Sequence, residues 1–214
     1  VSLVLALTGV ALLLSWWSAR PAADVGVVAA PAATTAPAVV ALPAAPAGVA
    51  VPLVGTRSAA VPPVAVVLPP VSLDLPDRRI SAPVLPVGVD PDGLLEVPRD
   101  GDDVGWYRWS AVPGEPGTAV FAGHVDTLRD GPGAFYDLSR AEPGNLVAVT
   151  LEDGSVREFS VTARESFPKT SLPVDTVFRR GGTPQLVLVT CSGPFDEDTR
   201  SYEENLVVTA EPRG

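Results

Sequence analysis

Short apolar runs separated by turn residues fill the last two thirds of the chain. Leu146–Leu151 and residues 156–162 flank the turn Glu152-Asp153-Gly154-Ser155, and Asp-Gly supplies the positive φ that a tight hairpin needs. Strand-like runs also fall at 80–85, 94–97, 118–122, 185–190 and 205–210. The run 118–122 is apolar without alternation, which predicts a strand buried on both faces. Only two short segments, near 133–139 and 174–179, suggest helix. Many short strands with turns between them predict a mainly-β domain, closed or sandwiched.

The amino-terminal third has a different pattern. Residues 1–17 are almost wholly apolar and end in Trp16-Trp17, the residue type enriched at membrane interfaces. A membrane-spanning helix needs about 20 residues and tolerates about 17, so this segment predicts an apolar transmembrane anchor. A cleaved signal peptide is the competing reading, because Ser18-Ala19 and Ala22-Ala23 offer small residues to a signal peptidase. Both readings export the rest of the chain. Residues 18–71 are built from Ala, Pro and Val, with Arg20, Asp24 and Arg57 as their only charges. Prolines at this density interrupt helix and sheet alike, which predicts a largely disordered tether. Its 54 residues would span at most roughly 170 Å if extended at about 3.1 Å per residue.

Charge gathers in residues 72–214, with 24 acidic and 13 basic side chains for a net of −11. Such a domain is unsuited to nucleic acid, whose phosphates demand clustered Lys and Arg. No P-loop or dinucleotide glycine fingerprint is present. One cysteine and one histidine are too few for a zinc site, so neither metal nor cofactor is expected.

That one cysteine, Cys191, ends the run Leu188-Val189-Thr190, and the one histidine, His124, follows Phe121-Ala122-Gly123. Cys and His from distant parts of a chain form a nucleophile and its proton carrier. The bland alternative is a buried free thiol and a hydrogen-bonded core or surface imidazole. Both residues close strand-like runs, and Arg200 lies nine positions after Cys191, beyond the turn-rich stretch 192–199. Three polar groups at strand ends could therefore converge. A papain-like arrangement fits less well, since there the cysteine precedes the histidine and the local Cys-Gly-Ser-Cys-Trp pattern is absent here.

The segments Ala122-Gly123-His124-Val125-Asp126-Thr127 and Val189-Thr190-Cys191-Ser192-Gly193, with Arg200 trailing, resemble sortases, specifically the actinobacterial class E and class F group. The resemblance covers roughly residues 80–212. Relatives of this type often carry Gly after the cysteine where this chain has Ser192. The resemblance implies a closed eight-stranded β-barrel with short helices over 72–214, a membrane tether, and a monomer. It implies cleavage of a Leu-Pro-x-Thr-Gly-like sorting signal between Thr and Gly, and transfer of the Thr carboxyl to a peptidoglycan precursor amine. The partners would be surface proteins bearing that signal, and the site would face the exterior of the cell. Cys191 would be the nucleophile, His124 the acid and base, and Arg200 the donor to the oxyanion. The alternative for Arg200 is an ion pair with Asp196, Glu197 or Asp198, with Arg179 and Arg180 on a plausible nearby loop.

Leu172, Pro173 and Val174 could line a groove for the Leu and Pro of the signal, or simply pack their loop, and Thr190 would flank it. Asp126 could orient His124 or be a solvated loop carboxylate. Two further readings stay open: a wall-associated cysteine peptidase that hydrolyses the same thioester, and a non-catalytic surface β-barrel that binds a partner.

Overall fold

The computed structural model describes residues 25–26 and 68–214. The apolar segment 1–17 and most of the 18–71 tether lie outside the described residues. No helix among the described residues is long and apolar enough to cross a membrane.

Eight strands close into a barrel. Their order is β1 (Pro70–Leu75), β2 (Ile80–Val87), β3 (Val104–Tyr107), β4 (Thr118–Gly123), β9 (Gln185–Asp196), β10 (Ser201–Pro212), β8 (Val156–Pro168) and β7 (Leu146–Leu151), and β7 pairs back onto β1. The two-residue strands β5 (Asp126–Thr127) and β6 (Gly131–Pro132) form a small separate pair. Barrel ladders are antiparallel except β2–β3 and β4–β9. The expected closed, mainly-β architecture is thus observed.

The β7–β8 hairpin forms where the pattern placed it. The Gly154 N–H donates to the Leu151 carbonyl at 2.9 Å and the Leu151 N–H to Ser155 at 2.8 Å. Gly154 sits at φ 80°, which a side chain would disfavour. The expected helical pieces are a 3-10 turn at Tyr136–Arg140 and a single turn, α1 (Val174–Val177).

Two expectations are corrected. Residues 94–97 are not a strand, and only Leu95 bridges to Val89. Asp90 gathers this segment into a loop, its backbone N–H donating to the Leu94 carbonyl and its carboxylate accepting from the Leu94 N–H, both at 2.8 Å. The stretch 192–199 is not all turn, because β9 continues to Asp196. There β10 supplies a partner, and a register shift sets Gly193 and Pro194 against Glu203. Gly193 takes φ 77°, and a bulge of this kind admits both a glycine and a proline.

Side-chain alternation divides the barrel wall into two faces. Ala119 and Phe121 of β4, Leu186 and Leu188 of β9, and Leu206 and Val208 of β10 fill the interior with Val147, Val149 and Phe159. The opposite phase, Val120, Val187 and Val207, forms a second buried cluster on the outer face with Leu172, Val177, Phe178 and Val189. The β8–β9 connection, which carries α1, therefore roofs the outside of β4, β9 and β10. That explains why the run 118–122 lacks polar alternation.

Leu188→Ala should destabilise the domain by about 2–5 kcal/mol, whereas Val174→Ala, at an exposed position, should change it by less than about 0.5 kcal/mol. Urea unfolding of the two variants checks this contrast.

Candidate active site

The parallel pairing of β4 with β9 runs from Thr118 opposite Gln185 to Ala122 opposite Val189. The Thr190 hydroxyl extends it by donating to the Gly123 carbonyl at 2.8 Å. One residue further, the same offset brings His124 level with Cys191. Alternation places both on the outer face, in phase with Val120 and Val187. On the far side of Cys191 the register sets Asn205 of β10, and beyond it Phe167 of β8. One transverse row thus runs from the residue that follows β4 across three strands: His124, Cys191, Asn205, Phe167. All four residues are half-buried.

His124 is held from two sides. Its Nε2 lies 2.8 Å from the Pro98 carbonyl. A carbonyl only accepts, so Nε2 carries the hydrogen and Nδ1 is the nitrogen left for proton exchange. The His124 carbonyl accepts from the Phe135 N–H at 2.9 Å, and the Val125 carbonyl from the Gly133 N–H at 2.9 Å. Gly133 is packed so closely that a Cβ there would lie 2.6 Å from the His124 carbonyl oxygen. Pro98 and Gly133 were not among the expected site residues, and nothing in their local sequence marks them.

Asp126 does not contact His124. Its carboxylate accepts a 2.6 Å hydrogen bond from the Tyr202 hydroxyl on β10, and the Tyr202 ring packs edge-on against Phe195 of β9 with centroids 5.2 Å apart. This contact ties the β9–β10 hairpin to the loop that follows His124. The hydrogen bond to Asp126 first, then burial, then the negative charges of Asp126 and of the Cys191 thiolate push the Tyr202 phenol from 10.0 up to about 12.

A family model for the Sortase domain matches residues 73–213. The chain belongs to the sortase family. Among solved structures it is similar to sortase A from Corynebacterium diphtheriae, with 18% identity and a TM-score of 0.52 over 69% of this chain and 62% of that one. It is also similar to sortase C-1 from Actinomyces oris, with 19% identity and a TM-score of 0.51 over 67% and 73%. For Listeria monocytogenes sortase A the values are 19% and 0.50 over 69% and 88%. The chain spans about three fifths of the corynebacterial protein's length. No curated protein matches it. Identities this low establish the shared fold, and neither class E nor class F is singled out.

In this sortase Arg200 stands apart from the row. It lies in the turn beyond the last hairpin pair, Asp196 with Ser201, exposed and at φ 53°. Arg200 makes no ion pair among the described residues, Asp196 included. The Asp196 carboxylate instead accepts from the Asp198 and Thr199 N–H groups at 2.9 and 3.3 Å. Hydrogen bonds from Thr199 are the main reason its pKa is lowered.

The expected groove residues divide. Leu172 packs in the outer cluster with Val189, the neighbour of Cys191 on that face. Pro173 begins α1. Val174 turns to a cavity of 830 Å³ that it lines with Leu95, Tyr107, Trp109, Phe178 and Arg179, and neither His124 nor Cys191 borders it. Thr190 is 4% exposed and faces the interior, so its hydroxyl sets the strand register and is closed to a peptide on the outside. No cluster of metal-ligating side chains occurs among the described residues.

Asp126→Asn should return the Tyr202 titration from about 12 towards 10, because the neutral amide no longer favours the protonated phenol. Ultraviolet phenolate titration, with Tyr202→Phe identifying the signal, checks it. The protonated phenol is favoured by the fold, so the contact stabilises it below about pH 10 and is lost as pH rises through about 12. Gly133→Ala should displace His124, which the only imidazole resonance in the proton NMR spectrum reports directly.

Proposed function

We propose that the domain is a cysteine transpeptidase. It cleaves a Leu-Pro-x-Thr-Gly-like sorting signal between Thr and Gly and passes the Thr carboxyl to a cell-wall precursor amine. The observation that carries this reading is the register match of the only imidazole with the only thiol on one half-covered outer face.

The Cys191 thiolate attacks the Thr carbonyl carbon, and the carbonyl oxygen becomes an oxyanion. As the oxyanion collapses, the bond to Gly breaks and His124 gives its proton to the departing amine, leaving a thioester on Cys191. An incoming amine then loses a proton to His124, attacks the thioester and expels the thiolate. With Nε2 committed to Pro98, Nδ1 is the atom that gives and takes these protons. Phe167 and Leu172 offer apolar walls to the Leu and Pro of the signal. Arg200, in the turn 197–200, would donate to the developing oxyanion.

The apolar segment 1–17 and the 18–71 tether would hold this domain outside the membrane, within reach of surface proteins and peptidoglycan precursors. The Ala-Gly-His-Val-Asp-Thr and Val-Thr-Cys-Ser-Gly segments favour a class F-like member.

The chain incubated with Leu-Pro-x-Thr-Gly and Leu-Ala-x-Thr-Gly peptides and a glycine-like or diamino-acid amine should yield a product ligated after Thr, read by mass spectrometry. Cys191→Ala should abolish it, and His124→Ala should slow it about 10²- to 10⁴-fold. Cleavage without ligation would replace the transpeptidase by a peptidase. A thiol inert to alkylation, with no cleavage, would favour a binding module.

A further inference from the structure

Any acyl transfer to Cys191 must form an oxyanion beside the thiol, and charge developing there calls for hydrogen-bond donors. The side chain directly opposite Cys191 is Asn205. Directly opposed residues of an antiparallel ladder project from the same face, with Cβ atoms about 4.5–5.5 Å apart. Asn205 therefore stands beside the thiol on the outer face, and His124 stands on the thiol's other side. Asn205 is half-buried. Its carboxamide makes no hydrogen bond within the described residues, and neither of its polar atoms is sealed from solvent. A half-buried amide with both N–H donors uncommitted, set on a rigid strand next to a nucleophile, can donate to a developing charge without reorganising. Phe167, half-buried, follows Asn205 on the next strand.

We propose that the Asn205 carboxamide is a catalytic oxyanion donor, standing beside Cys191 in addition to Arg200. When the Cys191 sulfur bonds to a carbonyl carbon, one Asn205 N–H donates to the oxygen that gains the electron pair. The bond weakens again as the carbonyl re-forms and the leaving group departs. The inference rests on the thioester reading of Cys191 and is independent of which peptide the enzyme selects.

The test compares two reactions of the same sulfur in the full chain. Acylation by p-nitrophenyl acetate passes through a tetrahedral oxyanion and releases p-nitrophenolate, whereas iodoacetamide is attacked at a saturated carbon and expels iodide with no oxyanion. Asn205→Ala should slow the acylation burst at least about tenfold and leave alkylation within about twofold, since losing one oxyanion donor costs up to about 10²–10³. Asn205→Asp keeps the shape but loses the donors when ionised. It should lower the ratio of acylation to alkylation further, and it serves where the alanine variant fails to fold.

Three results overturn the proposal: both rates falling together, neither changing, or no burst from the unaltered protein. A loss in Arg200→Ala that Asn205→Ala does not show also overturns it. If sorting peptides go uncut while the ratio still falls in Asn205→Ala, the substrate reading fails and the donor assignment stands.

Discussion

The site depends on one parallel contact, the pairing of β4 with β9. These strands lie 67 residues apart in the chain, and hydrophobic pressure on both faces holds them together. Phe121 and Leu188 pack inward with under 1% exposure, while Val120 and Val187 pack outward at the same level. Side chains repeat every two residues along a strand, so a slip of one would turn Cys191 into the core and Thr190 out to solvent. The Thr190 hydroxyl on the Gly123 carbonyl fixes the register at the point where the ladder ends. The residue that marks the end of the buried pairing is therefore the immediate neighbour of each reactive group.

Beyond that point β9 leaves the barrel and pairs only with β10. This projecting hairpin is steadied by Phe195 against Tyr202 and by the Tyr202 hydrogen bond to Asp126. Cys191 thus sits at the junction between the barrel wall and a two-stranded arm.

The motif residues were legible because their chemistry is rare in the chain. A single thiol and a single imidazole, each ending an apolar run, need no structure to stand out. The β7–β8 hairpin was equally legible from Asp153-Gly154. Residues 94–97 misled because an apolar run of four does not distinguish a strand from a loop stitched together by Asp90. Nine residues of separation between Cys191 and Arg200 did not reveal that β9 runs five residues further before the chain turns. Asn205 was read only as the start of a strand, since its importance lies in what it faces.

The sequence by itself determined the class of the domain, its acidic composition, the one thiol and one imidazole that a cysteine mechanism would use, and its membership in a family. All of these reside in residue type and local spacing. Tertiary structure decided which groups stand beside the thiol. Register across β8, β10, β9 and β4 is a property of pairing between distant segments. It selects Asn205 and Phe167, turns Thr190 inward, gives Asp126 to Tyr202, and leaves Arg200 at the turn.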